Sequence, residues 1–360
     1  MSACRTRGGL GRAVRRPGAL VVWALAAFSA APLLQARQGL TVPQTLPPGQ
    51  ARMVGDIKIL NVRNNVHVLM GAGGNITVLA FPEGVTVVDT GTAAMADQVL
   101  AAIRTITAQP ITYIINTSAD PDHVGGNETL ALAGRQITGG NVVGNTPDLA
   151  QSAEVIAHEN VLVRMIAPSV QPPIPLIATP ATIYHTDTLK LSTFYHGDAI
   201  QLFHAPQAHT DGDTMVWFRH NDVIATGDVF QTTNYPAIDL ERGGGVNGVI
   251  AALNRLLDIA FPEFRLENGT LVVPGHGRLC DMADVAYYRD MVTIVRDRAA
   301  DMIKKGASLA QVKAAKITRD YDPYYVKGAG ADSPDAFVES VYKSLTSRAP
   351  ASRSSAPAAR

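Results

Sequence analysis

The sequence predicts an α+β fold, an αββα sandwich with helices outside two sheets, followed by a helical C-terminal extension. Three observations carry this expectation. Short strand-like runs occur in both halves of the chain, amphipathic helical segments separate them, and the chain beyond residue 280 reads as helix. With 360 residues, 46% hydrophobic and 17% charged, the chain can bury a core of the size this architecture needs.

At the N-terminus, Arg5, Arg7, Arg12, Arg15 and Arg16 precede an apolar run over residues 18–34, which small residues near its end close before Gln35, Ala36 and a polar stretch. That order reads as a secretory signal over residues 1–36 and implies an exported, periplasmic or secreted protein. An uncleaved anchor is the alternative, because the run approaches the roughly 18 to 20 residues that span a bilayer. Pro32 and the small residues favour the signal.

Residues 37–55, with Pro43, Pro47 and Pro48, read as a loose linker to a domain over residues 56–280. Strands are expected at 66–70, 75–80 and 85–89, the last two joined by a turn at Phe81-Pro82-Glu83-Gly84. Met95, Val99, Ala102, Ile103 and Ile106 recur at helical spacing over 92–106, and 111–115 is a short apolar strand. In the second half, strands are expected at 199–204, 214–218 and 223–225. A helix carrying Val249, Ile250, Leu253, Leu256 and Leu257 then precedes a strand at 271–273. The extension over 281–347 contains helices at 281–305, after Ser308 and at 334–345. The Ala, Ser, Pro and Arg of residues 348–360 read as a disordered tail.

Basic and acidic residues number 31 each, so no charge excess argues for a nucleic acid or an anionic membrane as partner. A small-molecule substrate is expected instead. Cys4 falls in the signal, which leaves Cys280 without an internal disulfide partner and reads as a small buried hydrophobe.

Four loops, each directly after an expected strand, concentrate the groups that bind metals: residues 116–127, 208–213, 225–228 and 273–277. They carry Asp120, Asp122 and His123, then His209, then Asp228, then His276, with glycines beside them that permit tight turns. One such loop is ordinarily a cap or a turn. Four in this order are a metal-site pattern. If Asp120, Asp122 and Asp228 converge in one cleft, their like charges are costly unless a cation offsets them, and Pro121 biases Asp120 toward an extended backbone.

The order resembles the metallo-β-lactamase-like superfamily, whose first signature reads His-x-His-x-Asp-His after a strand. Asn116-Thr117, Asp122-His123 and Gly125-Gly126 match it, and His209, Asp228 and the Pro274-Gly275-His276 loop match the later elements. Val88-Asp89-Thr90-Gly91 is similar to the strand ending whose Asp helps hold the site loops in that family. The resemblance covers roughly residues 60–345 and implies a sandwich of the metallo-β-lactamase type.

Two positions depart from the signature: Ser118 and Asp120 stand where the first two histidines belong. The resemblance implies one complete site, formed by Asp122, His123, Asp228 and His276. The other keeps His209 and shares Asp228, with Asp120 added. Three outcomes stay open. One Zn²⁺ fills the complete site, with Asp120 or His209 as general base or as orienter of its water. Alternatively, Asp120, His209 and Asp228 hold a second, harder metal such as Mn²⁺ or Mg²⁺. In the third, the altered site is degraded and the protein binds a ligand without catalysis. The first two make a metal-dependent hydrolase acting on an ester, thioester, lactone or lactam carbonyl. Iron oxidoreductases of the family use the histidine-rich first site, so Ser118 and Asp120 disfavour that branch.

His185, His196 and His204 match no ligand position, Asp211 and Asp213 read as turn formers, and Gly243-Gly244-Gly245 reads as a flexible loop near the cleft with Tyr235. The tyrosines at 287, 288, 321, 324, 325 and 342 are candidates for a pocket wall, a dimer contact or plain core.

Overall fold

Strands that are apolar at every position can feed two cores at once, because successive side chains point to opposite faces. Strand 213–218 shows the effect: Met215 and Trp217 pack on one side with helices, Val216 and Phe218 on the other with the facing sheet. The computed structural model describes residues 47–135, 152–260, 269–325 and 333–347. The expected signal, the first part of the linker and the tail lie outside the described residues.

The first sheet runs in chain order through β1 (Ala51–Val54), β2 (Ile57–Arg63), β3 (Val66–Met70), β4 (Ile76–Phe81), β5 (Gly84–Val88), β6 (Ile111–Ile115), β7 (Glu154–His158) and β8 (Thr182–Tyr184). Pairing is antiparallel up to β5 and parallel from β5 to β8. Parallel neighbours need crossovers. These contain α1 (Ala96–Ile106), the short α2 (Pro121–Val124) and α3 (Asn127–Leu132), and α4 (Glu159–Met165).

The second sheet, in spatial order, is β13 (Leu271–Val273), β12 (Val223–Ala225), β11 (Asp213–Phe218), β10 (Ile200–Ala205) and β9 (Thr188–Lys190), with only β12–β13 parallel. The helical turn α5 (Thr193–His196) precedes β10, and α6 (Val246–Ile259) crosses from β12 to β13. Then follow α7 (Met282–Lys304), α8 (Leu309–Ala314), α9 (Asp322–Tyr325) and α10 (Pro334–Thr346).

Three cores define the layers. Val99, Ala102 and Ile103 of α1 pack on the outer face of the first sheet with Ile76, Val78 and Val87. Val68, Leu79, Val88 and Ile115 meet Leu202, Val216, Phe218 and Val223 between the sheets. Val249 and Leu253 of α6, Val285 and Val292 of α7, and Phe337 and Val341 of α10 cover the outer face of the second sheet. The result is the αββα sandwich that the sequence predicts, with the helices past residue 280 packed on its second sheet.

One expectation needs correcting. The end of the linker is not loose: Ala51–Val54 forms β1, which turns through Gly55 and pairs with β2. Arg52 secures it by donating to the Thr105 carbonyl and hydroxyl of α1, both at 2.8 Å. The prolines upstream masked this edge strand.

Arg63, at the end of β2, fastens the first sheet to the second. It donates to the carbonyls of Asn221 (3.1 Å), Asp222 (3.3 Å) and Gly269 (2.8 Å), in the segments that lead into β12 and β13. Removing the guanidinium strands those buried acceptors. Arg63→Ala should therefore lower the unfolding free energy by about 3 kcal/mol in urea melts. A change under about 0.5 kcal/mol would place the inter-sheet tie elsewhere.

Candidate metal centre

The parallel pairs β5–β6 and β12–β13 aim their C-terminal loops at one rim of the sandwich. Backbone hydrogen bonds lock the loops together: Thr90 N to His123 O (2.8 Å), Asn75 N to Gly275 O (2.7 Å), Thr214 N to Thr117 O (2.8 Å) and Gly275 N to Gly227 O (2.9 Å). Gly227 has a left-handed φ of 51°, and a Cβ there would strike the Thr117 side chain, so only glycine lets Asp228 reach this rim.

Pro121 opens α2, and Asp120 before it is extended (φ −73°, ψ 142°), the direction its proline neighbour favours. The first turn of α2 then presents Asp122 and the fully buried His123. Asp89 accepts from His123 Nδ1 at 2.7 Å and is itself held by Thr117, through the backbone N–H at 2.8 Å and the hydroxyl at 2.6 Å. A carboxylate on Nδ1 fixes the tautomer and leaves Nε2 as the donor atom. Asp89 does this from a left-handed backbone (φ 62°), a conformation that costs a non-glycine residue on the order of 1 kcal/mol.

His123 Nε2 lies 3.3 Å from Asp228 Oδ1, and both atoms are buried without a hydrogen-bond partner. His276 Nε2 stands 3.4 Å from the same Asp228 oxygen and 3.2 Å from Asp122 Oδ2. Neighbouring donors placed about 2.0 to 2.2 Å from one cation are separated by roughly 3 to 3.5 Å. The separations found here match that spacing. Two imidazoles and two carboxylates also suit zinc. By the orphaned atoms, the spacing and the donor chemistry, these four residues fit a metal.

The neighbouring group is arranged differently. Asp120, His209 and Asp228 bring donor atoms within 4.8 Å of one another, yet two of the three are spent on each other. His209 Nδ1 donates to the Ala237 carbonyl (2.8 Å), and its Nε2 meets Asp120 Oδ2 at 2.7 Å. A carbonyl only accepts, so Nδ1 carries a hydrogen. The short Nε2–carboxylate contact then requires a second proton between the two side chains. Asp120 also accepts from Ser118 Oγ (3.3 Å) and, through Oδ1, from Arg242 Nη1 (2.5 Å). Only Asp228 Oδ2, 3.9 Å from His209 Nε2, is left facing this side. The altered group, as arranged, does not fit a second cation.

Electrostatics follow the same division. Burial disfavours the charged form of His209, but the Asp120 hydrogen bond and the Asp213, Asp228 and Asp120 charges outweigh it and lift its pKa to about 9. Burial likewise opposes ionised Asp120, and His209 and Arg242 overcome it, holding the carboxyl down to about 2. Hydrogen bonding joins His276 and Asp122, raising the first and lowering the second. Burial pushes Asp228 up, yet the charges of His123, His209 and His276 bring it well below the usual carboxylate range.

All six sequence-predicted site residues thus meet at one rim. Sequence reasoning missed Arg242, whose only signal is its place just before three glycines. Those glycines tie down the loop that carries it. Gly244 N donates to Asp239 O (2.7 Å), Gly245 N to Ala208 O (3.0 Å), and Gly244 lies too close to the His209 carbonyl for any side chain. The flexible loop expected there is therefore a close backbone contact.

His185 is exposed, His196 stacks near Tyr113, and His204 donates to the Asp211 carbonyl; none joins the cluster. Asp213 caps its turn through Thr210 as expected, and Asp211 pairs with Arg164. Burial pushes the Cys280 thiol up to about 12, as suits a core residue. Beside His276, a cavity of about 720 Å³ is lined by Gly277, Thr232, Phe230 and tyrosines that include Tyr288, Tyr321 and Tyr325. Tyr288 also belongs to the core, so the tyrosines serve both as core and as wall.

A two-sheet, four-layer sandwich with His/Asp donors on the loops of one rim defines a metal-centre fold. The family model described as "Metallo-beta-lactamase superfamily" matches residues 70–276, and the chain belongs to that superfamily. A linear primary-alkylsulfatase from Pseudomonas sp. (strain ATCC 19151) is 23% identical over 290 residues, 68% of this chain and 50% of the relative. The chain thus spans about half the length of that curated relative. Among solved structures, the stereoselective inverting sec-alkylsulfatase Pisa1 from Pseudomonas sp. superposes with a TM-score of 0.53 at 15% identity, covering 79% of this chain and 49% of that one. The DIM-1 metallo-beta-lactamase gives 0.50 at 13% identity, covering 67% and 99%. These structures share the fold.

The proton between Asp120 and His209 makes a pH prediction for the metal-free protein. His209 titrates at about 9 in the fold against an ordinary 6.5, so its contribution to stability is complete below pH 6.5 and is lost as the pH rises through about 9. The stability gap between wild type and Asp120→Asn in urea melts should be widest near pH 6 and shrink toward about pH 10. A gap constant across that range would contradict the shared proton.

Proposed function

We propose that this chain is a metal-dependent hydrolase of small ester-class substrates, working with one zinc-type cation held by Asp122, His123, Asp228 and His276. The observation that carries the reading is the pair of buried atoms, His123 Nε2 and Asp228 Oδ1, 3.3 Å apart and without hydrogen-bond partners. Buried polar atoms are seldom left unpaired unless something else occupies them. Membership of a superfamily with hydrolytic relatives supports the same conclusion.

When held by these residues, a cation would supply Lewis acidity and would lower the pKa of a bound water toward about 7. The rest is the work of side chains. Asp89 holds His123 in the tautomer that offers Nε2 outward. Asp120 has its oxygens committed to His209, Ser118 and Arg242, and its low pKa makes it a poor proton acceptor. We assign it as the orienter of His209. His209, with its proton held at Nε2 against Asp120, stands at the edge of the ligand cluster and is the group placed to protonate the leaving oxygen. The cavity beside His276 takes the apolar part of the substrate, its volume lying within the range of small-molecule sites, about 300 to 1,000 Å³.

Carboxylic esters, thioesters, lactones and lactams form the first substrate set. Alkyl sulfate esters form a second, favoured by the relative's name. Hydrolysis of sulfate esters with none of the carbonyl compounds would select the second. The arginine-flanked apolar start of the chain supports an exported site of action.

The purified protein should carry zinc and hydrolyse a member of these sets, and His123→Ala and Asp228→Ala should lose both metal and turnover. Bound metal with no turnover of either set would make the chain a binding member of the fold. Folded protein that stays metal-free in excess zinc would remove the reading altogether. Asp89→Ala, which frees the His123 ring without touching a ligand, should weaken zinc binding about 10- to 100-fold in a competitive chelator titration. Unchanged affinity would deny Asp89 its positioning role.

A further inference from the structure

We propose that Arg242 takes the place of the first metal in this chain, so that the centre holds a single transition-metal ion and a guanidinium supplies the positive charge on its other side. The inference rests on the four-residue metal site proposed above, and it assigns a role to a residue outside the family signature.

Donor accounting comes first. A first-site cation would need lone pairs from Asp120, His209 and Asp228. Asp120 Oδ1 is occupied by Arg242 at 2.5 Å, and Asp120 Oδ2 by His209 at 2.7 Å and Ser118 at 3.3 Å. Both ring nitrogens of His209 are engaged, one on a carbonyl and one on a carboxylate. Ser118, in place of an imidazole, donates to Asp120 and accepts from its backbone N–H at 3.2 Å, turned inward on the loop rather than toward a cation.

The position of Arg242 is built into the fold. Asp239 accepts from its Nε at 2.6 Å and from its backbone N–H at 2.9 Å, and Asp239 N donates back to the His209 carbonyl at 2.9 Å. Asp211 N and Arg164 Nη2 donate to the Arg242 carbonyl at 3.0 and 2.7 Å. The loops of His209 and Arg242 therefore form one unit, with the guanidinium aimed at Asp120. A planar fork of N–H groups is suited to a carboxylate, and it stays charged at any working pH.

Charge balance agrees. Asp120, Asp122 and Asp228 converge on this rim. One divalent cation on the Asp122 and Asp228 side and one guanidinium on the Asp120 side offset them, whereas a second divalent ion would have to displace both Arg242 and a proton.

Elemental analysis tests the assignment after saturation with zinc and dialysis against zinc-free buffer. Wild type should retain about one zinc per chain. Arg242→Met keeps the packing of the stem but removes the charge, and it should retain about two. Arg242→Lys keeps a cation and should stay at one. Asp120→Ala should also stay at one, since Asp120 is no ligand of the resident ion. As a second route to the same site, the double variant Ser118→His/Asp120→His takes the carboxylate away from Arg242 and restores two imidazoles, and it should retain about two. Two zinc ions in wild type, or a single zinc in both Arg242→Met and the double variant, overturns the proposal while leaving the four-residue site intact. No zinc in wild type overturns both.

Discussion

The structure turns on one electrostatic constraint: a buried imidazole nitrogen and a buried carboxylate oxygen, His123 Nε2 and Asp228 Oδ1, face each other at 3.3 Å with no hydrogen-bond partner. Burying polar atoms in this state is expensive, and the cation proposed for this site, shared by both, would offset the cost. Much of the rim serves that end. Asp89, in a strained backbone, anchors the imidazole from behind. Gly227 lets Asp228 approach, and two parallel strand pairs from different sheets aim their loops at the same place.

The centre is asymmetric. On the His123 and His276 side, donor atoms are spaced for a cation, and two of them, His123 Nε2 and Asp228 Oδ1, lack other partners. On the His209 side, the same kinds of side chain are closed upon one another by a proton and by Arg242. One carboxylate, Asp228, touches both halves through different oxygens. With the ion and substrate proposed above, this division would let one ion provide Lewis acidity while a guanidinium and an imidazolium shape the field beside it. The tyrosine-rich cavity beside His276 adds space for an apolar group, and the two charged side chains on its wall, Arg278 and Asp284, are paired with each other.

The sequence exposed the sandwich and the metal-ligand pattern because both are written in local chemistry. Short apolar runs mark β10 and β11, and the candidate ligands follow such strands in loops that contain glycine. What escaped depends on distance in space. β8 and β9 are three-residue strands that mix threonine with apolar residues and lack the unbroken apolar run that marks β12 and β13, and β1 follows a proline-rich stretch that looks like linker. Arg242 is one arginine among many until the contact of Gly244 with the His209 carbonyl brings it beside Asp120. Asp120 could be read as ligand, base or orienter from its position in the motif. Only the three donors around its carboxylate separate those roles.

Diffraction from zinc-soaked crystals, recorded at the zinc absorption edge, addresses the pair of facing atoms most directly. The anomalous map should show a single strong peak between His123 Nε2, Asp228 Oδ1, His276 Nε2 and Asp122 Oδ2, at about 2.0 to 2.2 Å from each. A peak elsewhere on the rim, or none while His123 and Asp228 keep their separation, would contradict this account of the centre.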